Sequence, residues 1–271
     1  MRGVLLDLDG VVYVGDQPVP GAADVVDWLE IEGIPYRYLT NTTSRPRQAI
    51  ADKLTGMGIA ASAGQILSPP VAALTWMRRH DVRHPALFVP EATAAEFDEL
   101  DPLEGGAEAG AGAVVVGDLG QGWDFATLNR AFRLLMRGTE PPLVALGLTR
   151  YWLAEDGLRL DAGAFVRALE YASGRPAVVM GKPDPQFYRA AVEELGLPVD
   201  TPVGQPVGKP VDQVVMVGDD VRADVEGAQR AGLTGILVRT GKFSPSDLTG
   251  EVSPDAVLDS IADLPAWWKG H

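Results

Sequence analysis

Two short apolar runs, near opposite ends of the chain, each break off into acidic residues: Val4-Leu5-Leu6-Asp7-Leu8-Asp9 before Gly10, and Gln213 to Val217 before Gly218-Asp219-Asp220. Runs of this length bounded by turn residues read as buried strands, and a buried strand needs neighbours on both edges. The segments between supply them. An amphipathic helix fits Ala22 to Glu32, with Ala22, Val25, Val26 and Leu29 on one face. Strand Tyr36 to Leu39 follows, then a helix over Pro46 to Thr55 with Ser44 as its N-cap. The alternation resumes with strand Ala177 to Met180, helix Pro185 to Leu195, the second acidic strand, helix Val221 to Ala231 and strand Gly235 to Val238. Strands alternating with helices predict an α/β fold, a parallel sheet covered on both faces whose ligands sit at the carboxyl ends of the strands.

Between these halves, roughly Arg79 to Gly174 carries strands of its own, Ala86 to Val89, Ala113 to Val116 and Leu143 to Leu146, and helices over Phe125 to Met136 and Ala162 to Ala172. That is enough for a small inserted α/β domain at 79–174, leaving 1–78 and 175–271 as the core. The stretch Glu104 to Gly112, EGGAEAGAG, reads as a surface loop and not a dinucleotide fingerprint, because its glycines precede a strand.

Composition narrows the chemistry. With 37 acidic against 23 basic residues the formal charge is −14, which argues against nucleic acid as a partner. The absence of cysteine excludes disulfides and thiolate zinc sites. No apolar run is long enough to span a bilayer, and the opening MRGVLLDLDG places two carboxylates where a secretory segment would continue, so a cytoplasmic enzyme is expected.

Asp7 and Asp9, two apart on an apolar strand, lean to the same side. Alone they fit an exposed, solvated strand end as well as a site. Asp219, Asp220 and Asp224 form a second cluster; helix capping accounts for one of them but not three. Two parallel strands ending in aspartates can converge on a hard cation with oxygen ligands, most simply Mg²⁺. Thr40 and Asn41 end another strand and could hold a phosphate, although Thr-Asn is also ordinary turn chemistry.

In this order, Asp7-Leu8-Asp9-Gly10-Val11, Leu39-Thr40-Asn41, Gly181-Lys182-Pro183 and Gly218-Asp219-Asp220 with Asp224 resemble the haloacid dehalogenase superfamily of Mg²⁺-dependent phosphohydrolases. The carboxylate at position 9 is similar to the phosphatase branch. An insertion between Thr40 and Lys182 resembles the subgroup with a large α/β cap, the NagD-like proteins. TRYWLAEDGLRLDAGAFVRALEYASG, GKPDPQFY, GDDVRADVEGAQRAG and VRTGKFSPSD look like the group that includes phospholysine phosphohistidine inorganic pyrophosphate phosphatase. The resemblance implies a Rossmann-like parallel-sheet core domain with an inserted α/β cap domain. It implies a small phosphorylated substrate (a phosphomonoester, pyrophosphate or phosphoamide), no nucleic acid or membrane partner, and a cap-mediated homodimer.

The resemblance also implies roles. Asp7 is the nucleophile that becomes an aspartyl-phosphate. Asp9 protonates the leaving oxygen and later takes a proton from water. Mg²⁺ is held by Asp7, the carbonyl of Asp9 and Asp219, with Asp220 or Asp224 directly or through water, while Thr40, Asn41 and Lys182 bind the phosphate. A second Gly-Lys-Pro occurs at 208–210. Lys182 follows the strand Ala177 to Met180 and is expected at the carboxyl end of the sheet. Lys209 precedes the strand Gln213 to Val217, on the order of 15–20 Å from Asp219 along the axis.

Three other functions use similar parts: a phosphotransferase or mutase with the same intermediate, a non-catalytic phospholigand-binding protein, and a receiver-type signalling domain, which lacks the insertion and a counterpart of Asp9. Asp118 in VVVGDLG mimics the second acidic motif but reads as a turn residue. His80, His84 and His271 have no metal-ligand spacing, and Trp267-Trp268 is expected to pack against the core. Arg150 and Tyr151 suit either substrate contact or surface pairing.

Overall fold

The computed structural model describes residues 1–43, 45–138, 140–154, 157–197 and 213–270; Ser44, Lys209 and His271, singled out above, lie outside them. The chain divides into two compact units, one of Met1–Thr40, Arg47–Leu67 and Lys182–His271, the other of Asn41–Pro46 and Ser68–Gly181.

The first unit is built on a six-stranded parallel sheet. Its order is Ala256–Leu258, Thr234–Val238, Val214–Gly218, Gly3–Asp7, Tyr36–Leu39, Ile66–Leu67. The two acidic strands, far apart in sequence, are direct neighbours at its centre, with Val4 opposite Val215 and Leu6 opposite Val217. Val4 and Leu6 face a core shared with helices Ala22–Ile31 and Arg47–Gly56, through Val25, Val26, Leu29, Ile50 and Leu54. Leu5 and Met216 alternate to the other face and are as fully buried, so the sheet is covered on both sides. Each such side chain contributes roughly 1.5–3 kcal/mol of apolar burial. Trp267 and Trp268 pack on this core as expected, Trp268 meeting Trp28 edge-on.

The second unit has a four-stranded parallel sheet in the order Val178–Val179, Leu143–Ala145, Ala113–Val116, Pro85–Phe88. Helices Phe125–Met136 and Ala162–Ser173 pack against it through Ala131, Leu134, Leu135, Val166 and Leu169. The first helix starts where Asp124 accepts the Thr127 N–H at 2.7 Å, and the second stops at Gly174 in the left-handed conformation. A hairpin of Tyr151–Ala154 and Gly157–Leu160 adds to this unit.

The strand near residue 178 differs from expectation. It pairs with Leu143–Ala145 and so belongs to the inserted unit, which also takes helix Pro69–Arg79 and is therefore wider than 79–174. A short apolar strand has the same pattern whichever sheet it joins; only its partner decides. Ile66–Leu67 and Ala256–Leu258 are too short to carry a period, and the residues themselves do not announce them. Asp118 is a turn residue, accepting the Gly120 N–H at 3.1 Å. His80 and His84 are exposed, their Nδ1 atoms 2.8 Å from the Trp76 carbonyl oxygen and 3.0 Å from that of Asp101. Arg150 and Tyr151 line a cavity of about 470 Å³ in the second unit, together with Leu160 and Arg167. Among the described residues no helix is long and apolar enough to cross a membrane.

Candidate active site

Strand register brings the acidic residues together. Asp7 lies opposite Leu39 and Leu6 opposite Val217, so Asp7, Thr40 and Asp219 leave the sheet at nearly the same level of its carboxyl edge. Asp224 joins them from the helical segment that follows. Asp7, Asp219 and Asp224 are all buried, and each offers a carboxylate oxygen within 4.8 Å of the others. The Lys182 ammonium donates to Asp7 Oδ1 at 2.6 Å and to Asp224 Oδ1 at 2.7 Å, with only 4% of its side chain exposed. Lys182 does not come off a core strand, as its sequence context suggested. It stands just before helix Pro185–Glu194, whose start is fixed by Asp184 accepting the Gln186 N–H and by Pro185 in the first turn.

The electrostatics are those of a crowded anionic site. Burial pushes the Asp7 carboxyl up, further than the Lys182 ammonium pulls it down. Burial, and then the charge of Asp7, push Asp224 up to about 6 against the pull of Lys182. Asp219 is also raised by burial, against the Lys242 N–H it accepts. For Lys182, burial alone would favour the neutral amine, but Asp224 and Asp7 outweigh it and hold the ammonium charged. One ammonium against three carboxylates leaves net negative charge in a buried place. In addition, Asp219 Oδ1 is buried without a hydrogen-bond partner, a costly state that a cation relieves. An all-oxygen donor set of this kind fits a hard divalent ion.

The other candidates are placed differently. Asp220 caps the next helical segment: its Oδ1 accepts from the Arg222 and Ala223 N–H groups at 3.0 and 2.9 Å, and it is not one of the three clustered carboxylates. That segment, Val221–Glu226, is a π-helix continuing into α-helix Gly227–Arg230, where an unbroken α-helix was expected. Buried Tyr188 donates to the carbonyls of Ala223 and Asp224 at 2.6 and 3.2 Å, which braces the widened turn that carries Asp224. Asp9 is exposed, one step beyond the cluster. Thr40 is buried, its N–H bonded to the Leu67 carbonyl at 3.1 Å. Asn41 is counted with the second unit, its Oδ1 beside Gly181.

Thr240, Gly241 and Lys242 were not expected in the site. The Thr240 hydroxyl donates to the Gly10 carbonyl and the Lys242 N–H donates to Asp219 Oδ2 at 2.7 Å. Gly10 and Gly241 both have positive φ, 87° and 65°, and a Cβ on either would overlap the Asp219 carboxylate. The signal was present as Thr-Gly-Lys two residues past a strand, but only the fold puts that strand beside the acidic one. Gly241→Ala is therefore expected to weaken divalent-ion binding at least about tenfold, read by calorimetric titration, because the methyl group displaces Asp219. Unchanged affinity would show that Asp219 does not hold the ion.

With this geometry in hand, comparison with known proteins is informative. Residues 4–101 match the haloacid dehalogenase-like hydrolase model and residues 179–264 a HAD-hydrolase-like model. The phospholysine phosphohistidine inorganic pyrophosphate phosphatase of Bos taurus is 35% identical over 97% of this chain and 92% of its own. The chain belongs to the haloacid dehalogenase-like hydrolases. Haloacid dehalogenase-like hydrolase domain-containing protein 2 of Bos taurus is also 35% identical, over 95% of each chain. The solved structure of NagD from E. coli superposes with a TM-score of 0.81 over 97% of this chain and 98% of that one, at 23% identity, and so speaks for the fold. Within this family the chain takes the NagD-like, α/β architecture and is a hydrolase of the phosphatase kind.

Proposed function

We propose that this phosphatase is a Mg²⁺-dependent enzyme that transfers a phosphoryl group from a small metabolite to Asp7 and then to water. The observation that carries the proposal is the buried cluster of Asp7, Asp219 and Asp224 around Lys182, with an unpartnered oxygen on Asp219. Asp7, Asp219 and Asp224, with the carbonyl of Asp9, would hold the ion. When bound, Mg²⁺ supplies positive charge that lets an anionic phosphate approach an anionic nucleophile.

Asp7 attacks phosphorus, the bond to the leaving oxygen or nitrogen breaks, and Asp9 gives that atom its proton. Water then attacks the phosphorus of the aspartyl-phosphate, Asp9 takes its proton, and the Asp7 carboxylate is released with phosphate. Lys182 restrains Asp7 and offsets its charge throughout. Thr40 and Asn41 bind the remaining phosphoryl oxygens. Asp220 caps the segment bearing Asp224 through Oδ1, while its Oδ2, 3.7 Å from the Lys242 ammonium, is the oxygen that would reach the ion through water.

The bovine relative's name gives phospholysine, phosphohistidine and inorganic pyrophosphate. Phosphoamides and pyrophosphate are accordingly the substrate classes we assign beside phosphomonoesters, with the cytoplasm as the compartment. Removing metal with EDTA should take p-nitrophenyl phosphate hydrolysis to background, and Mg²⁺ should restore it. Full activity in EDTA would rule out the metal's part.

A further inference from the structure

Asp9 has no share in the buried cluster: Leu8, Val11 and Val12 beside it are buried in the core, but Asp9 itself is exposed where the chain turns into a short hairpin. It forms an isolated bridge with Tyr13, the Gly10 N–H donates to the Tyr13 carbonyl at 2.7 Å, and the Tyr13 N–H donates to Leu8 at 3.1 Å. Tyr13 in turn belongs to a hairpin of two-residue strands, Tyr13–Val14 against Gln17–Pro18. A ribbon that short does not hold its own shape in water.

One side chain from outside the hairpin grips it at three points. Lys53, on helix Arg47–Gly56, donates to the Gly15 carbonyl at 2.7 Å, sits 3.2 Å from the Asp16 carboxylate and lies 4.2 Å above the centre of the Tyr13 ring. Its side chain is 24% exposed, whereas Asp16 is 92% exposed, so that ion pair adds little. The carbonyl bond at the tip and the ring contact on the wall are the constraints that matter. On the other side of the loop, the Thr240 hydroxyl fastens the carbonyl of Gly10.

We propose that Lys53 is a positioning residue for Asp9: by pinning the hairpin at Gly15 and Tyr13, it holds the Asp9 carboxyl where proton transfer to the leaving group occurs. The proposal rests on Asp9 acting as the acid. The two fail differently, because the need for a proton grows with the basicity of the leaving group.

The experiment measures kcat/KM with Mg²⁺ on aryl phosphates from p-nitrophenyl to phenyl phosphate. Asp9→Asn should lose more activity as the leaving group becomes more basic. Lys53→Met should show the same trend in weaker form, about tenfold on phenyl phosphate against about twofold on p-nitrophenyl phosphate. Lys53→Arg, which keeps charge, donors and ring contact, should recover most of it, and Tyr13→Leu should shift the series the same way as Lys53→Met. A loss for Lys53→Met that is even across the series, or no loss, while Asp9→Asn shows the trend, overturns the role of Lys53 alone. A flat series for Asp9→Asn overturns the acid role of Asp9 and the role of Lys53 with it.

Discussion

Asp7→Asn is expected to lower kcat on p-nitrophenyl phosphate at least about a thousandfold, with Mg²⁺ present and the thermal transition within a few degrees of the parent. The amide keeps the shape of the carboxylate but cannot form the acyl phosphate. Fold retention follows from the electrostatics. Burial and the nearby Asp219 already disfavour a charge at position 7, and Lys182 keeps its bond to Asp224 when Asp7 is neutral. Rapid quenching should trap phosphate on the parent and none on the variant. Near-parental turnover would sink the assignment of Asp7 as nucleophile.

Lys182→Ala is expected to damage both catalysis and folding. The ammonium is the only cation bonded to Asp7 and Asp224 among the described residues, and all three are buried. Removing one member of a buried charged set leaves the others uncompensated, at a cost of about 3–5 kcal/mol. We expect a loss of that order in urea unfolding of the metal-free protein, and a smaller one with Mg²⁺ bound. At a temperature where the variant is folded, kcat/KM should fall about a hundredfold or more. Lys182→Met, which refills the space but not the charge, should recover only the packing part of the stability and none of the activity. A Met variant with parental kcat/KM would show that Lys182 is structural.

Much of this site is readable in the residues because its chemistry is expensive. Apolar runs ending in Asp7 and Asp219 each fit a solvated strand end as well as a site, and it is their recurrence, with Asp220 and Asp224, that points to a hard cation. Helix Ala22–Ile31 and helix Phe125–Met136 follow from the spacing of their apolar residues, because amphipathic periodicity is a local property. Asp220 and Asp224 could not be told apart in this way. They are four residues apart and of the same residue type; one turns back to cap Arg222 and Ala223, while the other is held in the cluster by a π-helical turn.

The residues by themselves determine the alternation of strand and helix and the carboxyl-edge location of the acidic groups, which depend on neighbours in sequence and on the cost of burying a charge; the chemical class of the reaction is implied by the resemblance of the motifs to a family. Pairing partners are decided only in three dimensions. Val178–Val179 joins the inserted sheet and not the core, Lys182 reaches Asp7 from a helix entrance, and the Thr240–Lys242 loop closes on Asp219. Lys53 likewise meets Gly15 across 38 residues of chain. Contacts of that kind have no local period or propensity to betray them, since they form only when separate strands and helices settle against one core.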